Sequence, residues 1–235
     1  MSSLKLAILG SGGRMGENLL KEIEKDDQIE LVYRAGREDF PSFKQLANCG
    51  AEALIDFSRP EAIVQASQVC RESQMAVLIC STGFQPEQLK ELRQNFSHSR
   101  WAIASNTSLG IAALLEGLRV VTPILNDPSF EIDVFDWHHQ HKKDAPSGTA
   151  LSIEGELLHV GGGKDGEVKI ESRREGEEIG YHKVTWKSPY ETVELSHRAH
   201  DRALFSAGAL KLLRRLVKMP ARAEAYNPRE ILLTK

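Results

Sequence analysis

Cysteine is scarce in this chain: Cys49, Cys70 and Cys80 are odd in number and far apart among 235 residues. That excludes a disulfide framework and a cysteine-based zinc site, and leaves buried, reduced thiols as the simple reading. Long apolar runs are missing. None approaches the ~18 residues of a membrane span, so no membrane partner is expected. A basic excess is missing as well. Thirty Lys and Arg face 33 Asp and Glu, for a net charge of -3, which gives nucleic acid no electrostatic footprint. The start, Met1-Ser2-Ser3-Leu4-Lys5, lacks the charged region, apolar stretch and cleavage site of a secretory signal, so a cytoplasmic location is expected. Internal repeats and low-complexity tails are lacking too. What is there, 41% hydrophobic and 27% charged residues, suits an ordinary globular chain of one large or two small domains.

The first hundred residues alternate between two patterns. Leu4–Leu9 reads as a buried strand, and Ile29–Arg34, Ala53–Phe57, Ala76–Cys80 and Trp101–Ala104 read as further strands. Helical segments separate them: one carries Leu19, Leu20 and Ile23, one opens at Ser58-Arg59-Pro60-Glu61, and one runs from Pro86 to Asn95. This order predicts an α/β fold with a parallel, Rossmann-type sheet. Past residue 107 the pattern changes. An apolar helix (Ile111–Val121), a strand (Phe130–Trp137), a helix from Ser147 and strands at Tyr181–Trp186 and Glu191–Ser196 predict a second, α+β domain. A last helix, Ala203–Lys218, is expected to return to the first. The expected domains are 1–107 plus about 209–235 for dinucleotide binding, and 108–208 for substrate and assembly, with hinges near 106–110 and 207–209.

The first strand ends in Gly10-Ser11-Gly12-Gly13-Arg14-Met15-Gly16. Such a loop needs glycine for a tight turn, for bare backbone against a diphosphate, and for close helix packing, and the helix N-terminus adds a positive dipole end. Its place after a strand and before a helix points to dinucleotide binding. The ribose selector should follow about 20 residues on. There the chain has Gly36-Arg37-Glu38. Gly36 has no side chain for a 2′-hydroxyl, whereas Arg37 can pair with a 2′-phosphate, which favours NADPH or use of both NADPH and NADH.

The densest chemistry lies in Asp136-Trp137-His138-His139-Gln140-His141-Lys142-Lys143-Asp144-Ala145-Pro146-Ser147-Gly148-Thr149-Ala150. Histidines and lysines crowd a strand end, and Pro146-Ser147-Gly148-Thr149 opens a helix. Helix-start amides, hydroxyls and a lysine suit a carboxylate, and a histidine can donate a proton near neutral pH. A metal on His138, His139 and His141, with His197 and His200, is the competing reading. Adjacent strand residues face opposite ways, and no cysteine or carboxylate supplies a familiar zinc spacing, so no metal is expected.

Together these segments resemble the 4-hydroxy-tetrahydrodipicolinate reductase (dihydrodipicolinate reductase) family. The resemblance also takes in Asp56-Phe57-Ser58-Arg59-Pro60-Glu61, Ser81-Thr82-Gly83-Phe84, Ala104-Ser105-Asn106-Thr107-Ser108-Leu109-Gly110, Glu194-Leu195-Ser196-His197-Arg198-Ala199 and Phe205-Ser206-Ala207-Gly208-Ala209. It implies reduction of that cyclic imine precursor in lysine and diaminopimelate biosynthesis, with a small dicarboxylate substrate, a homotetramer and NADPH or NADH as cofactor. It implies His138 as catalytic acid and Lys142 as catalytic lysine. His139, Gly148 and Thr149 match substrate-binding positions. Gly10, Ser11, Gly12, Gly13, Arg14, Met15 and Arg37 match cofactor positions, as do Cys80, Ser81, Thr82, Ala104, Ser105, Asn106 and Thr107. The chain departs from the family where Gly36 replaces an acidic residue, Cys80 a glycine and Thr107 an aromatic. From the residues alone, another Rossmann imine reductase or dehydrogenase, a non-catalytic nucleotide sensor and a histidine-based metal hydrolase remain as alternatives.

Overall fold

A computed structural model describes residues 3–37, 43–162 and 168–234. It divides into two compact units, Met1–Ser108 with Ala203–Lys235, and Leu109–Arg202.

In the first unit five strands alternate with helices: β1 (Leu4–Leu9), α1 (Arg14–Ile23), β2 (Ile29–Ala35), α2 (Lys44–Asn48), β3 (Ala53–Asp56), α3 (Pro60–Ser73), β4 (Ala76–Ile79), α4 (Pro86–Asn95) and β5 (Trp101–Ile103). All pairings are parallel, in the order β2-β1-β3-β4-β5. The order reverses between β1 and β3, which is where such sheets open a crevice beyond the strand ends. Every residue of β3 and β4 is buried, because helices cover both faces. Leu6 and Ile8 of β1 enter one core and Ala7 and Leu9 the other, as a period of two requires. The return helix α7 (Ala203–Leu216) supplies Ala209, Leu210, Leu212, Leu213 and Leu216 to the first core, joined by Ile231 of α8 (Pro228–Leu233). All of α7 belongs to this unit, so residues 207–209 lie in mid-helix and the division on the return side falls at 202/203.

The second unit contains α5 (Leu109–Ile124), β6 (Glu131–His138), α6 (Gly148–His159), β7 (Lys169–Arg174), β8 (Gly180–Lys187) and β9 (Thr192–Ala199). Its sheet runs β7-β6-β8-β9, with β6 parallel to β7 and antiparallel to β8. Ile111, Leu114 and Leu118 of α5 and Ile153 and Leu157 of α6 pack with Val134, Val184 and Trp186 on one sheet face. The other face carries Phe135, Trp137 and Tyr181, with Arg173 over Phe135 and Arg198 over Trp137 and Tyr181. β7 was not expected from sequence. Its Lys-Ile-Glu-Ser-Arg-Arg run has one apolar residue, as an edge strand tolerates.

Candidate active site

The proposed cofactor residues of the first unit gather beyond the carboxyl ends of the parallel strands. The Gly10–Gly16 loop follows β1, Arg37 follows β2, Cys80–Thr82 follow β4 and Ala104–Thr107 follow β5. Gly10 has φ +82, and a Cβ there would lie 2.5 Å from the Phe57 carbonyl oxygen; one on Gly16 would lie 2.2 Å from the Gly10 oxygen. Only glycine fits either position. Gly12 is the opposite case, with nothing within 4 Å of an added Cβ. Gly13 caps α1 without a side-chain hydrogen bond. The helix therefore begins in bare backbone, with first-turn amides that have no acceptor inside the helix. This geometry fits a dinucleotide diphosphate.

The candidates separate by exposure. Gly12, Gly13, Arg14, Arg37, Thr82 and Ser105 are open to solvent, Gly10, Met15, Cys80 and Asn106 are partly buried, and Ser11, Ser81, Ala104 and Thr107 are buried. The buried ones shape the loops. Ser81 donates its hydroxyl to Asp56 Oδ2 at 2.5 Å, and Ser58 donates to the other oxygen. Burial pushes the Asp56 carboxyl above its ordinary value, against the lowering effect of those hydroxyls. Burial, then the Asp56 charge, pushes the Cys80 thiol well up, which disfavours the reactive thiolate. Thr107 donates its hydroxyl to the Phe205 carbonyl at 2.6 Å. Asn106 accepts from the Ser108 amide. A Cβ on Gly208 would lie 1.9 Å from the Thr107 oxygen, so α7 and this turn touch backbone to backbone.

In the second unit His138 and the start of α6 meet on one buried carboxylate, Asp136, which carried no role in the expectations from sequence. Val134, Asp136 and His138 alternate on the inner face of β6. Cross-strand register sets Asp136 opposite Ser172 and His182, and His182 opposite His197. Asp136 is fully buried. Its Oδ1 lies 2.9 Å from His138 Nδ1 and 3.4 Å from His182 Nε2. Its Oδ2 accepts from Arg174 Nη2 at 2.8 Å, the Ser147 amide at 2.9 Å and the Ser172 hydroxyl at 3.2 Å. Burial alone would raise this carboxyl, but the contacts with His138, His182, Arg174 and Ser147 outweigh it and hold it well below the usual carboxylate range.

Ser147 is the N-cap of α6, its hydroxyl accepting from the Ala150 amide at 3.1 Å. In the first turn Gly148 is exposed and Thr149 partly buried. Lys142 holds both oxygens of Asp144 at 2.8 Å. His139, just past the strand, faces away from the buried row and has Arg202 Nη2 at 3.1 Å from its Nε2. Burial first, then Arg202 and the neighbouring histidines, push its pKa down. Asp136 was visible two residues from His138 on one strand face. Arg174 and His182 were not, because β7 had no readable pattern and the register came only with the sheet. Asp136, His138 and His182 also place three donor atoms close enough to share a metal ion.

Two family models divide the chain between them: "Dihydrodipicolinate reductase, N-terminus" matches residues 4–107 and "Dihydrodipicolinate reductase, C-terminus" matches residues 110–232. The chain belongs to the dihydrodipicolinate reductase family. Among proteins named 4-hydroxy-tetrahydrodipicolinate reductase, it is 34% identical to one from Xanthomonas axonopodis pv. citri, covering 99% of both chains. It is 33% identical to one from Methanoregula boonei, covering 91% of this chain and 92% of the relative. A dipicolinate-bound dihydrodipicolinate reductase from Paenisporosarcina sp. TG-14 shares the fold, with a TM-score of 0.80 at 18% identity over 96% of this chain and 97% of that one. Aspartate dehydrogenase from Thermotoga maritima matches with a TM-score of 0.51 at 17% identity, over 91% of this chain and 96% of that one. A dihydrodipicolinate reductase is an oxidoreductase, and its Rossmann domain implies a nicotinamide cofactor. Among the described residues no helix is long and apolar enough to cross a membrane.

Proposed function

We propose that this protein reduces 4-hydroxy-tetrahydrodipicolinate (dihydrodipicolinate) to tetrahydrodipicolinate with NAD(P)H, the reductive step towards diaminopimelate and lysine. The observation that carries the proposal is the match of both family models together with His138 and the start of α6 held on one buried carboxylate.

Gly10 to Met15 hold the cofactor diphosphate against the uncapped start of α1. Arg37 meets a 2′-phosphate, so NADPH is preferred and NADH is accepted. Thr82, Ser105, Asn106 and the backbone of Cys80, Ser81, Ala104 and Thr107 border the ribose and nicotinamide. Reduced nicotinamide supplies a hydride. The start of α6 at Gly148 and Thr149 holds one substrate carboxylate, with Lys142 supplying positive charge. His139, backed by Arg202, meets the substrate from the strand end. The 4-hydroxy compound loses water to give dihydrodipicolinate, the hydride reduces that ring, and the one proton that balances the hydride comes from His138. The aromatic and arginine face of the second sheet joins subunits into a homotetramer. Free cysteines agree with a cytoplasmic enzyme.

The test is NADPH oxidation when purified protein meets freshly generated product of dihydrodipicolinate synthase. Substrate-dependent oxidation is expected. Cofactor binding without it would leave only a nucleotide sensor.

A further inference from the structure

We propose that Asp136 is a positioning residue whose two carboxylate oxygens hold the His138 imidazole and the start of α6 in register with one another. This inference deepens the reading above and rests on it for the meaning of His138.

The two oxygens do different things. Oδ1 meets His138 Nδ1 at 2.9 Å, whereas Oδ2 accepts the Ser147 amide at 2.9 Å. Ser147 caps α6 and immediately precedes Gly148. A displacement of Asp136 therefore moves the proton donor and the carboxylate cradle together. Arg174 supplies the counter-charge at 2.8 Å and also donates to the Asp144 carbonyl, which ties down the loop between them. The contact at Nδ1 is close but not well aligned, as is common where geometry tightens only with substrate. A metal on Asp136, His138 and His182 would compete with the Arg174 guanidinium already neutralising the carboxylate, so the geometry favours positioning over metal binding.

With Nδ1 turned to the carboxylate, Nε2 is the ring nitrogen left to deliver a proton. The charged and titratable groups around the ring are Asp136 on its own strand, Arg174 on β7, His182 on β8 and His139 beyond the strand end. Glu178 adds a carboxylate beside Gly180.

Long-range proton–nitrogen NMR of the full chain, with His138 assigned through the His138→Gln variant, reads the tautomer directly. Neutral His138 should carry its proton on Nδ1; a proton on Nε2 in the wild type overturns the proposal. Asp136→Asn keeps the shape and removes the charge. It should mix the tautomers, lower kcat at least about tenfold and raise KM for the imine while KM for NADPH holds. Asp136→Glu should restore part of kcat. A lower melting temperature with unchanged tautomer and unchanged kcat would mean a merely structural role. The NMR result needs no turnover. A chain with the Nδ1 proton but no imine reduction would therefore sink the proposed reaction and leave the positioning intact.

Discussion

The imidazole of His138 fills the space that a side chain at Gly180 would need: a Cβ there would lie 3.1 Å from His138 Nε2. Gly180 begins β8, next to the strand that carries His138. Gly180→Ala forces the ring to give by a few tenths of an ångström. Turnover should fall about tenfold or more, because small misplacements of a reacting group are costly, while the far-ultraviolet spectrum stays native. Unchanged kcat would show that the ring has room to yield.

His138→Gln should lower turnover by about two orders of magnitude, as expected when a general acid is lost. Cofactor affinity, read by quenching of NADPH fluorescence, should stay nearly intact. Normal turnover in this variant would remove His138 from the acid role.

Arg37 is exposed beyond β2, and Gly36 beside it has no side chain to offer. Arg37→Ala should weaken NADPH by at least about tenfold, the loss of a charge-assisted contact, and NADH far less. Equal losses for the two cofactors would discredit the 2′-phosphate contact.

Lys142 is paired with the exposed Asp144 carboxylate, which holds the ammonium as a substrate carboxylate would. Asp144→Asn removes that competitor, while the Arg174 bond to the Asp144 carbonyl is retained. KM for the imine should fall a few-fold, the scale of an exposed ion pair, with kcat little changed. A higher KM would mean that Asp144 holds Lys142 in place for substrate.

His197 lies on β9, across from His182. Burial, then repulsion from His182 and His200, pushes its pKa below the ordinary 6.5. The folded state therefore refuses a proton that the unfolded chain accepts. The associated stability is present above pH 6.5 and is lost as the pH falls through the folded value. Denaturation midpoints should drop between neutral and mildly acid pH, and His197→Gln should make that drop shallower. Parallel curves would show that other groups set the slope.

The first unit was legible because its signals are local. Runs such as Leu6–Leu9 and Ala76–Ile79 are continuously apolar, since both faces of the sheet are buried there, and the glycine loop follows the first of them. Pro60 and Pro86 marked two helix starts. The second site was legible only along its own segment. His138, Lys142 and Ser147–Thr149 were read from one continuous run, but their organiser depends on partners 36 and 38 positions away, Ser172 and Arg174. Those partners stand on a strand whose only apolar residue is Ile170, too little to mark an alternation. The hydroxyl of Thr107 is taken by the Phe205 carbonyl, a partner 98 positions away that no local pattern reveals.

The chain leaves the first unit just after Thr107 and comes back just before Phe205, and those two residues are hydrogen-bonded. The second unit is thus an excursion whose exit and return share one doorway. A short splice from Ser108 to Ala203 would close that doorway without moving a strand of the parallel sheet. A different module could be spliced into the same gap with the parallel sheet left whole.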